Sequence, residues 1–111
     1  MPSNHLAVGN VEIISLSDGL LEFDLCNFFP DIPAEDWVGL ENHLSPVGNL
    51  RMNLASFVLR SEGHTIVVDT GMGPKATPDL AWGKLLDEFK SNGIRPEEVD
   101  MVVITHAHLD H

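Results

Sequence analysis

The sequence has 111 residues, room for one ordinary domain, and its 43% apolar and 21% charged content is that of a globular chain rather than a disordered or fibrous one. Seventeen acidic residues against six basic ones give a net charge of −11. Binding to phosphate backbones or anionic lipid rests on Lys and Arg, so neither nucleic acid nor a membrane surface is an expected partner. The apolar runs Ile66-Val67-Val68 and Met101-Val102-Val103-Ile104 fall far short of the roughly 20 residues that span a bilayer. The opening Met1-Pro2-Ser3-Asn4-His5 has neither the basic patch nor the apolar stretch of a secretory signal. A single cysteine, Cys26, excludes an internal disulfide and is expected as a small buried hydrophobe. Together these features predict a cytoplasmic protein.

In chain order, Val11–Leu16 alternates as a strand and runs into the turn pair Asp18-Gly19, and Leu20–Leu25 reads as a second strand. A hairpin through Ser17-Asp18-Gly19 is the expectation. Across 27–50 the pattern dissolves around Pro30, Pro33, Gly39, Pro46 and Gly48, with room for a short helix between Pro33 and Leu40. This irregular segment carries Phe28, Phe29 and Trp37. Met52–Arg60 is a strand, Ser61-Glu62-Gly63-His64 a turn, and Thr65–Asp69 a strand apolar enough to be covered on both faces. After the glycine-rich break 69–74 a helix is predicted, with Thr77 as N-cap, Pro78 at its first position and Asp79 in its first turn. Trp82, Leu85, Leu86 and Phe89 form its apolar stripe, and Gly93 ends it. A last apolar strand covers Met101–Thr105. Strand, crossover helix and further strand make an α/β domain.

The chemistry is concentrated in Thr105-His106-Ala107-His108-Leu109-Asp110-His111. Three of the six histidines and an aspartate fall within six positions at the mouth of a buried strand. Shuffled composition would produce such a window with odds on the order of one in a thousand. In an extended segment His106 and His108 project to the same side and can grip one metal ion. A turn would carry Asp110 and His111 to a second position a few ångströms away. Neutral imidazole and carboxylate are the ligands zinc accepts in hydrolytic sites, and two neighbouring ions can acidify a shared water and polarise the bond it attacks. His5, His43 and His64 are isolated and are expected on the surface.

This segment resembles the His-x-His-x-Asp-His signature of the metallo-β-lactamase superfamily, and the order Val67-Val68-Asp69-Thr70-Gly71, helix, Gly93-Ile94-x-Pro96 and Val99-Asp100-x-Val102 is similar to what precedes that signature there. The resemblance runs over about Val11 to His111 and implies the N-terminal half of an αββα sandwich, a mixed sheet with one covering helix. It implies His106 and His108 as ligands of a first metal, Asp110 and His111 as ligands of a second, and Asp110 as the residue that handles a proton. Asp69 would buttress the metal loop from behind. Two divalent ions are implied, zinc first, with manganese, iron or cobalt fitting the same donors.

The two strands before Asp69, the aromatic segment and Gly93-Ile94-x-Pro96 most resemble the lactonase and methyl-parathion-hydrolase branch. The implied function is hydrolysis of a small ester, lactone or phosphotriester by a metal-activated water. The other readings are a β-lactam or thioester hydrolase of the same fold, and a non-catalytic metal-binding or interaction module. Phe28, Phe29 and Trp37 would either rim an apolar substrate pocket or pack in the core. The superfamily's remaining ligands lie downstream of the signature. The expectation is therefore that these residues form half of the domain, completed by a C-terminal half in the same polypeptide or in a separate one. Its exposed sheet invites association, including a homodimer.

Overall fold

The computed structural model describes residues 4–74, 77 and 79–111. Five strands form one mixed sheet in sequential order: β1 (His5–Val8), β2 (Val11–Phe23), β3 (Leu50–Ser61), β4 (His64–Val68) and β5 (Met101–Val103). The first four pair antiparallel, and β5 returns parallel to β4 after helix α2 (Leu85–Ser91). This is the α/β arrangement the sequence predicts. A one-turn helix α1 (Leu25–Phe28), capped by the Asp24 carboxylate on the Asn27 amide, opens the irregular segment. That segment also holds a 3₁₀ turn at Ala34–Trp37, inside the predicted short helix.

Alternation along the strands builds the core. Ile14 and Leu16 of β2, Val58 of β3 and Val67 of β4 face one side, where Leu85 and Phe89 of α2 and Ile94 close over them. Two-residue turns set the register. Val8 pairs with Val11 across Gly9-Asn10, and Ser61 pairs with His64 across Glu62-Gly63, the turn read from sequence. The helix ends where Gly93, at φ 69°, donates its amide to Lys90 and sends Ile94 back to the Phe89 carbonyl, a Schellman closure that also delivers Ile94 to the core. On the opposite face, Ile13, Leu59, Ile66 and Met101 stand in one cross-strand row, with Phe57 and Met101 39% and 55% exposed.

Four expectations change. β2 does not fold back at Ser17-Asp18-Gly19; it runs on to Phe23 with a bulge that sets Asp18 and Gly19 opposite Leu54 alone. The hairpin lies earlier, at Gly9-Asn10, and makes a strand of what read as a tail. α2 starts at Leu85 rather than near Thr77, and Trp82 pairs as an isolated β-bridge with Gly19. Pro78, expected at the first helical position, lies outside the described residues. Only Leu85 and Phe89 of the predicted stripe are buried, while Leu86 is 61% exposed, because the helix is too short to present the wider face. Cys26 is exposed on α1, whose single turn has no buried residue. The fourth change is in β5, which stops at Val103 where the predicted strand ran to Thr105 and is exposed along its length where a buried strand was expected, because α2 packs over β2 and β4 rather than over β5.

Candidate metal centre

The segment after β5 is tied down from behind by Asp69. This residue follows β4 with φ 63°, a left-handed conformation that costs a non-glycine residue energy and is held by its contacts. Its amide donates to the Val103 carbonyl at 2.8 Å, and its own carbonyl accepts from the buried Ser56 hydroxyl at 2.7 Å. The carboxylate thereby points at the histidine segment. Oδ1 accepts the Thr105 amide at 2.9 Å, Oδ2 accepts the Thr105 hydroxyl at 2.8 Å, and Nδ1 of His111 lies 2.9 Å from Oδ2. That last contact is off the line of a well-formed hydrogen bond, which leaves the buried Nδ1 of His111 an electrostatic neighbour of the carboxylate. Burial pushes the Asp69 carboxyl up, but the Thr105 amide, the His111 ring and the Thr105 hydroxyl outweigh it and hold the group below the usual carboxylate range. Thr70 adds a second anchor by donating its hydroxyl to the His111 carbonyl at 2.8 Å.

The Thr105 hydroxyl also lies 3.0 Å from Nδ1 of His106. Having given its one proton to Asp69, it can only accept there, so the network assigns the ring proton of His106 to Nδ1 and leaves Nε2 bare. That bare nitrogen faces Nδ1 of His108 at 3.1 Å. The His106 ring stands 4.6 Å from that of His108 and 3.9 Å from that of His111, centroid to centroid. A turn closed by the His111 amide on the His108 carbonyl brings the third imidazole back. The expected turn is present: it brings His111 within a few ångströms of His106, and Asp110 lies at the edge of the three rings, Oδ2 3.4 Å from Nε2 of His111. His106 and His108 are exposed, Asp110 and His111 half-buried.

The donors suit a divalent cation in kind, and two nitrogens on one tetrahedral zinc stand roughly 3.3 Å apart given bonds of about 2.0–2.1 Å. Among the described residues, no three His, Cys, Asp or Glu side chains already converge as a cage. The fit is that of a partial ligand set. Phe28, Phe29 and Trp37 form a separate chain of rings, Phe23 to Phe28 at 5.0 Å, Phe28 to Phe29 at 4.8 Å and Phe29 to Trp37 at 5.4 Å. A groove of about 510 Å³ lies instead on the helix-covered face, between Val67, Val102, Leu85 and Phe89, and has no histidine in its lining. His64 and His43 are exposed; His5, half-buried in β1, reaches Glu12 on the adjacent strand at 3.1 Å.

The sequence profile of the metallo-beta-lactamase superfamily matches residues 52–111, from β3 through the last histidine. The chain belongs to the metallo-β-lactamase superfamily. No curated protein matches it by sequence. Among solved structures, it is similar to the dizinc quorum-quenching lactonase AidC, with a TM-score of 0.82 and 26% identity over 96% of the chain. It is equally similar in sequence, at 26% identity, to the β-lactamase-superfamily hydrolase AbOPH, with a TM-score of 0.80 over 96% of the chain. A probable metal-dependent hydrolase from Staphylococcus aureus, 18% identical with a TM-score of 0.74 over 96% of this chain and 41% of its own, shares the fold. The chain spans 36% of AidC and 36% of AbOPH. Its mixed sheet and helix are therefore part of a metallo-β-lactamase fold.

Two residues of this superfamily member escape a reading of the sequence. Thr105 sits inside the motif, and the signal for it is a hydroxyl between an apolar strand and the first histidine. Asp18 is buried in the β2 bulge, and its pairing with glycine reads as an ordinary turn.

Proposed function

We propose that this protein is a metal-dependent hydrolase whose Thr105–His111 segment supplies ligands to a dinuclear centre, and that it cleaves a small ester, lactone or phosphotriester. One observation carries the reading: Nε2 of His106, whose ring is held by the Thr105–Asp69 pair, faces Nδ1 of His108 at 3.1 Å, close to the spacing of two nitrogens on one zinc. His106 and His108 would hold one ion, with Asp110 and His111 on a second. Bound divalent cations supply Lewis acidity and an acidified water, the chemistry hydrolysis needs. Asp69 orients Thr105 and His111 from behind, as carboxylates do for metal-bound imidazoles. Asp110, at the solvent edge of the cluster, is assigned the proton-handling role. Phe28, Phe29 and Trp37 offer an apolar surface for a small, partly hydrophobic substrate. AidC and AbOPH support a hydrolase, and AidC in particular supports two zinc ions and a lactone.

The half-exposed row Ile13-Leu59-Ile66-Met101 supports a second half of the sandwich, in the same polypeptide or another, that packs here and completes the ligand set. The protein is assayed with zinc, manganese, iron or cobalt against an acyl lactone, an aryl ester and a phosphotriester. Hydrolysis of one of them, abolished by chelation and by His106→Ala with His108→Ala, is the expected result. Turnover that survives both treatments contradicts the assignment. Metal binding without turnover of any substrate would favour the binding-module reading.

A further inference from the structure

We infer that Asp18, far from the histidines in sequence, is a positioning residue of the metal centre that acts through the segment Asp69-Thr70-Gly71; the inference rests on the metal-centre reading above. Asp18 is 1% exposed, in the bulge of β2. A buried carboxylate needs donors, and three backbone amides supply them: Met72 to Oδ2 at 2.9 Å, Gly83 to Oδ2 at 3.3 Å and Leu85 to Oδ1 at 3.0 Å. Its carbonyl accepts the Lys84 amide at 3.0 Å. One residue thus ties β2 to the loop after β4 and to the start of α2.

That loop is the one that holds the histidines. Asp69 bonds Thr105 and lies 2.9 Å from the His111 ring, Thr70 bonds the His111 carbonyl, and the next two residues meet Asp18. At Gly71, with φ 71°, a Cβ would fall 2.4 Å from Cγ of Asp18, so the backbone approaches the carboxylate as closely as glycine allows. At Met72 the amide is bonded to that carboxylate. The left-handed conformation of Asp69 leaves the loop dependent on contacts at both ends. On the β4 side these are Ser56 and Val103; on the far side the contact is Asp18. Without it, Thr70 and Asp69 lose one of the two points that fix where Thr105 and His111 stand. A helix-capping role alone would concern only Leu85 and its neighbours; the bond to Met72 and the fit against Gly71 are directed at the ligand-bearing loop.

The protein is titrated with Zn²⁺ under chelator competition, comparing wild type with Asp18→Asn and with Phe89→Leu. A carboxamide in place of the carboxylate has one acceptor oxygen and cannot take all three backbone N–H groups, whereas Phe89→Leu loosens the same helix and leaves the clamp intact. Zinc affinity is expected to fall roughly tenfold in Asp18→Asn and to stay within about twofold of wild type in Phe89→Leu. Equal affinity in Asp18→Asn and wild type overturns the inference, as does an equal loss in Phe89→Leu. Should Asp18→Asn fail to fold, the wild type carries the test, because coupling is reciprocal and zinc must in turn tighten the clamp. Amide exchange at Met72, Gly83 and Leu85 is then expected to slow on zinc addition more than at Ile14 and Val58; a uniform change overturns the inference. Failure of wild type to bind zinc at all is a different result, which overturns the metal-centre reading and this inference with it.

Discussion

The Thr105 hydroxyl has one proton to give, and it lies 2.8 Å from a carboxylate oxygen of Asp69 and 3.0 Å from Nδ1 of His106. Removing it leaves the His106 ring free to take the other tautomer. Thr105→Val is expected to weaken zinc binding by about 10- to 100-fold and Thr105→Ser to restore most of it, measured by chelator competition. A second residue-scale prediction concerns Glu62, which sits at φ 52° before Gly63 in the β3–β4 turn. Left-handed backbone is a conformation asparagine adopts at lower cost than glutamate. Glu62→Asn should raise stability by about 0.5–1 kcal/mol in thermal unfolding, with metal affinity unchanged. The ligand-type residues were legible because they crowd one window at the mouth of an apolar strand. Asp18 was not, since Asp-Gly between apolar runs is the pattern of a hairpin, and its bonding partners lie 54, 65 and 67 residues away.

At the scale of elements, β3, β4 and their turn are close to what alternation and Glu62-Gly63 dictate. The first hairpin was also written in the chain, as Val8-Gly9-Asn10-Val11, but Asp18-Gly19 competed for the same reading. What decides is tertiary: the buried bulge needs its carboxylate for three amides, so the strand passes through Asp18-Gly19 instead of turning. The helix start is lost from sequence for the same reason, because the acceptor at its first amide is Asp18 rather than the local Thr77. Its end is local and was read. Gly93 closes a Schellman motif with open space where a Cβ would stand, so its cost of substitution is conformational alone. Gly93→Ala is expected to destabilise the fold by about 1–2 kcal/mol, seen as a lower midpoint in urea at constant slope.

On the scale of the molecule, α2 covers part of one face of the sheet, over β2, β3 and β4, and the other face presents the row Ile13-Leu59-Ile66-Met101 half-exposed. Apolar rows on an open sheet associate. Without a second half to cover that face, the protein is expected to oligomerise with rising concentration, and Phe57→Glu with Met101→Glu to shift it towards monomer in sedimentation velocity. Both side chains are more than a third exposed, so the fold should keep its circular dichroism. No composition or motif specifies which surface covers a sheet, so the α/β layering was legible in the chain and the occupant of its open face was not. For the centre, the chain's own residues determine the nitrogen and carboxylate donors of Thr105–His111 and the Asp69 carboxylate behind them.

The central claim is that Thr105–His111 binds metal through His106 and His108. Metal analysis after equilibration with zinc and removal of excess ion tests it most directly. Wild type should retain zinc, and His106→Ala with His108→Ala should retain none while keeping the same circular dichroism. A wild-type protein that holds no zinc, or a double variant that holds as much as wild type, would contradict the account.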